Sequence, residues 1–145
     1  MKKVVIIGAG ISGLFFANLL RQSSNYDTTI YEKNNSINLE KGYGVQLSVN
    51  SVKLLNKIGF KNLKPQTKFN PKKIDFYSLK EKKKICDLNI SEFDTDDVKY
   101  TTLQRSTLIE FLKEKLPKNL IQYNKTIKQI VQQKGIIELT MEDDS

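Results

Sequence analysis

Histidine is missing from this sequence altogether, and cysteine occurs once, as Cys86. Without histidine there can be no Ser-His-Asp triad, no imidazole general base and no histidine-dependent metal site. One cysteine cannot close a disulfide within the chain, and this usage fits a reducing compartment. It also leaves no ligand set for a structural zinc. Cys86 falls in a predicted strand with no histidine to activate it, so no role as a nucleophile is expected. Tyr43, Tyr77 and Tyr100 read as packing residues rather than acids. Arginine is scarce: Arg21 and Arg105 are the only two, and lysine supplies the rest of the 24 basic side chains. Nucleic-acid readers gather arginine and aromatic residues on one face. Here the lysines are scattered, with one run at Lys80, Lys82, Lys83 and Lys84, so no nucleic-acid partner is expected. The net charge of +8 instead favours small anions such as a pyrophosphate.

The uncharged run from Val4 to Leu20 follows Met1-Lys2-Lys3 in the manner of a signal peptide. Glycines at 8, 10 and 13 would weaken a membrane helix, and Asn18 interrupts the run. The residues that follow, Arg21-Gln22-Ser23-Ser24, offer no small-x-small cleavage site. Neither a leader nor a membrane span is expected, and the predicted location is the cytoplasm.

The 145 residues suffice for one domain with a core. Val4-Val5-Ile6-Ile7 is a short apolar run ended by Gly8. It reads as a strand buried on both faces, as in a parallel sheet. Gly13 to Arg21 reads as a helix that is apolar on most sides, and Thr28 to Glu32 as a second strand. Together they predict a right-handed βαβ unit. Lys33 to Lys41 reads as a polar loop. Gly42 to Ser48 is a second glycine-bearing segment. Ser48 or Asn50 then caps a helix carrying Val52, Leu54, Leu55 and Ile58 and closed by Gly59. Lys73–Leu79 with Lys84–Ile90, and Thr126–Gln132 with Gly135–Met141, read as hairpins. Between them lie an acidic loop at Ser91–Lys99, an amphipathic helix from Arg105 to Leu116 and a short strand near Asn119–Tyr123. Pro117 ends that helix. The sequence runs out in Glu142-Asp143-Asp144-Ser145.

The chemistry concentrates in Gly8-Ala9-Gly10-Ile11-Ser12-Gly13. A G-x-G-x-x-G pattern is weak alone, but here it sits between a predicted strand and a predicted helix, where a dinucleotide-binding turn requires it. Gly8 permits the tight turn, Gly10 lets the backbone approach a pyrophosphate, and Gly13 lets helix and strand pack closely. Ile11 and Ser12, between the last two glycines, are further cofactor-binding candidates, and the N-terminus of the helix that follows favours phosphate. Glu32 ends the second strand 19 residues beyond Gly13, where a carboxylate can accept hydrogen bonds from both ribose hydroxyls of an adenosine and would repel a 2′-phosphate. Lys33 follows directly. FAD and NAD share this chemistry, so the fingerprint does not separate them.

Two later features separate them: Gly42-Tyr43-Gly44-Val45-Gln46-Leu47-Ser48-x-Asn50, and Gln104-Arg105-x-x-Leu108-x-x-x-Leu112. With these, the chain resembles the N-terminal portion of FAD-dependent aromatic-ring monooxygenases, the para-hydroxybenzoate-, salicylate- and tetracycline-type hydroxylases. The resemblance implies an α/β, Rossmann-like fold of the glutathione-reductase type, with β-hairpin insertions and truncated. Residues 1–145 would be the first part of an FAD-binding domain, with about 70–100 contributing a hairpin of a partial substrate domain. It implies that Gly8, Gly10, Gly13, Glu32 and Arg105 contact FAD, with Gly44 and Gln46 near the flavin. Reduction by NAD(P)H and reaction with O₂ would then transfer one oxygen atom to a small aromatic or related substrate. Family members are more than twice as long, so a separate chain supplying the remainder is a candidate partner. The resemblance names no catalytic acid or base. Two alternatives stay open: a non-catalytic module for FAD or another adenine dinucleotide, and a piece of a different FAD-dependent oxidoreductase.

Overall fold

The computed structural model describes residues 1–39 and 42–142. The end of the predicted polar loop (Glu40, Lys41) and the residues Asp143, Asp144 and Ser145 lie outside the described residues. In chain order the elements are β1 (Lys2–Ile7), α1 (Ile11–Leu20), β2 (Tyr26–Tyr31), β3 (Gly44–Leu47), α2 (Val49–Asn56), β4 (Lys68–Phe69), β5 (Lys73–Ser78), β6 (Lys83–Asn89), β7 (Thr101–Gln104), α3 (Arg105–Glu114), β8 (Ile121–Gln122), β9 (Ile127–Gln133) and β10 (Ile136–Met141). They form two compact units, Met1–Lys41 with Leu112–Ser145, and Gly42–Phe111; the division falls within α3.

In the first unit β1, β2 and β8 form a parallel sheet in the order β1-β2-β8. β1 and β2 run in register from Lys2 opposite Tyr26 to Ile7 opposite Tyr31, joined through α1. This is the predicted βαβ unit. Leu14 and Ala17 of α1 and Ile30 of β2 are fully buried. One expectation fails. β1 is the outer strand among the described residues, and it is buried on one face only. Ile6 is 8% exposed, whereas Val5 is 42% and Ile7 55% exposed. Gly13 of α1 packs against the Ile6 side, whereas on the opposite face Ile7 borders an open cleft next to the glycine turn. The β9–β10 hairpin completes this unit, with Lys134 and Gly135 both at positive φ in its turn.

Two polar side chains inside this core behave differently. Asn18, which in the sequence only argues against a membrane span, is 7% exposed. Its amide donates to the carbonyls of Leu14 (2.9 Å) and Leu112 (2.8 Å), tying α1 to a residue 94 positions away. Asn18→Ala removes both bonds and is expected to lower stability by about 1–3 kcal/mol, read from a urea unfolding curve. Thr28 on β2 is also 7% exposed, but its hydroxyl finds no hydrogen-bond partner among the described residues. A buried hydroxyl without a partner is a net loss. Thr28→Val keeps the shape and the β-branched preference while removing the hydroxyl. It is expected to stabilise the chain by about 1 kcal/mol, and calorimetry showing a lower melting temperature would contradict this.

In the second unit β3, β7 and β4 form an antiparallel sheet in the order β3-β7-β4, and β5 pairs with β6 as the predicted hairpin. Leu103 and Thr101 of β7 are buried. So are Val52 and Leu55 of α2, Ile58, and Phe60, whose ring meets Phe111 edge-on at 5.6 Å. Ser48 rather than Asn50 stands at the start of α2, and Gly59 follows its end at φ 86°. In α3, Leu108, Ile109 and Leu112 are fully buried, as the predicted apolar face requires; the helix ends at Glu114, short of the predicted Leu116.

Candidate functional site

The glycine turn joins β1 to α1. Gly8 has φ +97°, a left-handed conformation that side chains rarely adopt, and its N–H donates to Tyr31 O at 2.7 Å, closing the turn against β2. Added Cβ atoms distinguish the three glycines. At Gly8 and Gly10 an added methyl would meet nothing within 4 Å, so both face open space. At Gly13 it would lie 2.1 Å from the carbonyl oxygen of Gly8 and 3.2 Å from Ile6. Gly13 therefore serves the packing of helix on strand, and Gly8 and Gly10 keep the outer surface of the turn bare.

α1 begins on that bare surface. Its first helical bond runs from Leu14 N–H to Gly10 O at 2.9 Å, which leaves the amides of Ile11, Ser12 and Gly13 outside the helical ladder. No side chain caps this end, and its first turn contains no acid. Both features suit an anion at the helix start.

Glu32 directly follows β2 and points back to the turn. Its Oε2 accepts the N–H of Ala9 at 2.8 Å. Its Oε1 accepts the backbone N–H of Asn34 at 3.0 Å and the Asn34 side-chain amide at 2.6 Å. The residue is 9% exposed. Burial by itself would raise the carboxyl's pKa. The N–H groups of Asn34 and Ala9, the Asn34 amide and the Lys33 charge together outweigh burial and hold it below its ordinary value. Glu32 is thus an anion at neutral pH.

Beside Glu32 opens a cleft of about 350 Å³, lined by Ile7, Gly8, Tyr31, Glu32, Lys33, Lys125, Thr126 and Ile127. Its size falls within the usual range for small-molecule sites. The structure thus brings Gly8, Gly10, Gly13, Glu32 and Lys33 together with Ile11 and Ser12. It adds Lys125, Thr126 and Ile127, which sequence reasoning passed over as the start of a hairpin. No local pattern marks them. They reach the cleft because Lys125 N–H donates to Glu32 O at 3.0 Å and Asn124 N–H to Asn34 O at 3.2 Å.

Gly44, Gln46 and Arg105 belong to the second unit. Gly44 and Gln46 lie on β3, opposite Gln104 and Thr102 of β7. The Gln46 side-chain oxygen accepts the Tyr100 hydroxyl at 3.0 Å. Arg105 is the first residue of α3, and its N–H donates to Tyr43 O at 3.1 Å. The demanding glycine here is Gly42 rather than Gly44. Gly42 has φ +109°, and a Cβ on it would lie 2.7 Å from Cδ of Arg105, whereas one on Gly44 would make ordinary contacts. Among the described residues no group of His, Cys, Asp and Glu could hold a metal ion. Nor is any described helix long and apolar enough to cross a membrane.

The family model for an NAD(P)-binding Rossmann-like domain matches residues 6–39, the span from Ile6 through the loop after Glu32. No curated protein matches the sequence. Solved structures match nearly the whole chain. HpxO of Klebsiella pneumoniae, complexed with FAD and uric acid, superposes with a TM-score of 0.77 at 20% identity over 99% of this chain and 36% of its own. For 2,6-dihydroxypyridine-3-hydroxylase from Arthrobacter nicotinovorans the values are 0.77, 14%, 99% and 34%. A salicylate hydroxylase in a substrate complex gives 0.76, 19%, 99% and 33%. The chain therefore spans about a third of the length of these structures, and at such identities the likeness is one of fold. The fold is α/β and Rossmann-like, that of the N-terminal regions of FAD-dependent hydroxylases.

Proposed function

We propose that this chain binds the adenosine diphosphate end of FAD, as the nucleotide-binding portion of a flavin-dependent monooxygenase. One observation carries the reading. The strand-end acid and the glycine turn form a single hydrogen-bonded unit, Glu32 Oε2 to Ala9 N–H, at the edge of a cleft of about 350 Å³. Three further features fit the group. Gly8 and Gly10 present no Cβ where a diphosphate would approach, the start of α1 carries no competing acid, and Glu32 is charged at neutral pH. The diphosphate would take the amides at the start of α1, and Glu32 the ribose.

FAD, when bound, supplies the redox and oxygen-transfer chemistry, with NAD(P)H as reductant, toward a small aromatic or related substrate. This chain's residues bind and orient the cofactor. By the resemblance to aromatic hydroxylases, Gly44, Gln46 and Arg105 take part in holding FAD, and the β5–β6 hairpin belongs to the substrate-binding part. The substrate pocket and the remaining flavin contacts would come from polypeptide beyond these 145 residues, on this chain or a partner. The single cysteine fits a cytoplasmic setting.

Titration of the purified chain with FAD, NAD and ADP tests this. Saturable binding of ADP and FAD, seen by calorimetry and by quenching of flavin fluorescence, is expected; no binding of any of the three would end the reading. A second reading, an adenine-dinucleotide module without catalysis, draws on the ADP-binding chemistry that FAD and NAD share at a glycine turn with a strand-end acid. It predicts binding of NAD and FAD with equal affinity.

A further inference from the structure

We infer that Asn34 limits the ribose grip of Glu32 to one hydroxyl, making it a positioning residue that sets which adenosine sugars the cleft distinguishes. The inference rests on the nucleotide reading above and concerns the geometry of its ribose subsite. A carboxylate offers about four lone-pair positions, two on each oxygen. Three are taken by donors among the described residues. Oε1 accepts both the backbone N–H (3.0 Å) and the side-chain amide (2.6 Å) of Asn34, and Oε2 accepts Ala9 N–H (2.8 Å). One position is left, on Oε2.

These internal bonds belong to a clamped turn. Asn34 O accepts Asn124 N–H at 3.2 Å, and Glu32 O accepts Lys125 N–H at 3.0 Å, with Asn124 held at φ +55°. The backbone from Glu32 to Asn34 is thus pinned on both sides of the carboxylate, and Oε1 cannot turn to a ligand without giving up two donors. A sugar with two adjacent hydroxyls would place one on Oε2. The other would face the lysine side of the cleft, where Lys33 and Lys125 are the charged lining residues besides Glu32 itself. A strand-end acid with both oxygens open would hold both hydroxyls and lose affinity for either deoxy sugar alike. This one should not.

The test compares ADP, 2′-deoxy-ADP and 3′-deoxy-ADP on the 145-residue chain by calorimetry. One deoxy analogue is expected to bind about tenfold or more weakly than ADP, and the other within about threefold of it. Equal and large losses for both analogues, or no loss for either, would overturn the inference while leaving the nucleotide reading intact. Failure of ADP itself to bind would remove both. Asn34→Ala is expected to open a position on Oε1, so that the indifferent analogue now also binds several-fold more weakly than ADP. The ratio of affinities is the readout, because a variant weakened only in structure would lower all three together. Should Asn34→Ala not fold, Asn34→Ser and the wild-type comparison decide the matter.

Discussion

Gly13→Ala is expected to lose roughly 3 kcal/mol or more of stability, while Gly10→Ala folds as before and binds its nucleotide more weakly. The two substitutions add the same methyl group three residues apart in one turn. At position 13 that methyl meets the backbone oxygen of Gly8 at 2.1 Å, and a backbone atom has no rotamer by which to move away. Helix α1 and strand β1 must separate, and overpacking of this kind costs about 1–3 kcal/mol even where side chains can yield. Much of a marginal stability of about 5–15 kcal/mol is then gone. At position 10 the methyl meets nothing within 4 Å, and the backbone there, φ −77° and ψ −178°, is extended and open to any residue. Stability should stay within about 0.5 kcal/mol of wild type. The methyl would instead stand where a diphosphate approaches the turn. Affinity for ADP is expected to fall by about 5- to 150-fold. Urea unfolding and calorimetry on both variants separate the outcomes. An unstable Gly10→Ala, or one that binds ADP unchanged, would contradict the division of labour between the glycines.

Glu32→Ala should damage both properties at once. The carboxylate is the acceptor for Ala9 N–H inside a residue only 3% exposed, so its loss leaves a buried donor unpaired. That is expected to destabilise the chain by about 1–3 kcal/mol. The ribose grip goes with it, and ADP affinity should drop by about tenfold or more. The same group sets a pH signature. Its pKa in the folded chain lies below the ordinary 4.5, so its contribution is fully present above that value. It fades as pH falls through the depressed folded pKa, because the unfolded chain takes up the proton first. Stability difference curves of wild type against Glu32→Ala should therefore converge only below about pH 4.5. Unchanged ADP affinity in Glu32→Ala would remove the ribose role.

Much of the first unit was legible from residue order. A β-branched run, three glycines at fixed spacing, an apolar helix and an acid at the end of the next strand are all local, and the structure assembles them into the parallel β1–α1–β2 unit. Both hairpins and the apolar face of α3 were legible for the same reason: their periodicity lies within a few turns of chain. What escaped was non-local. β4 and β7 are four residues or fewer, and they are strands only because β7 runs between β3 and β4; no window of sequence contains that pairing. The contribution of Lys125, Thr126 and Ile127 to the cleft depends on two backbone bonds across about ninety residues. Asn18 was read as a polar interruption when it is a bolt between helices. Gly44 drew notice for its place in a motif, while the steric demand falls on Gly42, visible only once Arg105 is set beside it.

The half-covered state of β1 bears on how the chain behaves in a crowded solution. A strand of sequence Val-Val-Ile-Ile pairs with β2 on one side, and among the described residues no strand claims its other side. Such an unclaimed rim is a template for the rim of another molecule, and sheets grow from one to the next in this way. Lys2 and Lys3 at its head put charge next to the greasy stretch and slow that growth, as gatekeeper residues do. Colloidal lifetime should then shorten in high salt, where the lysine charges are screened.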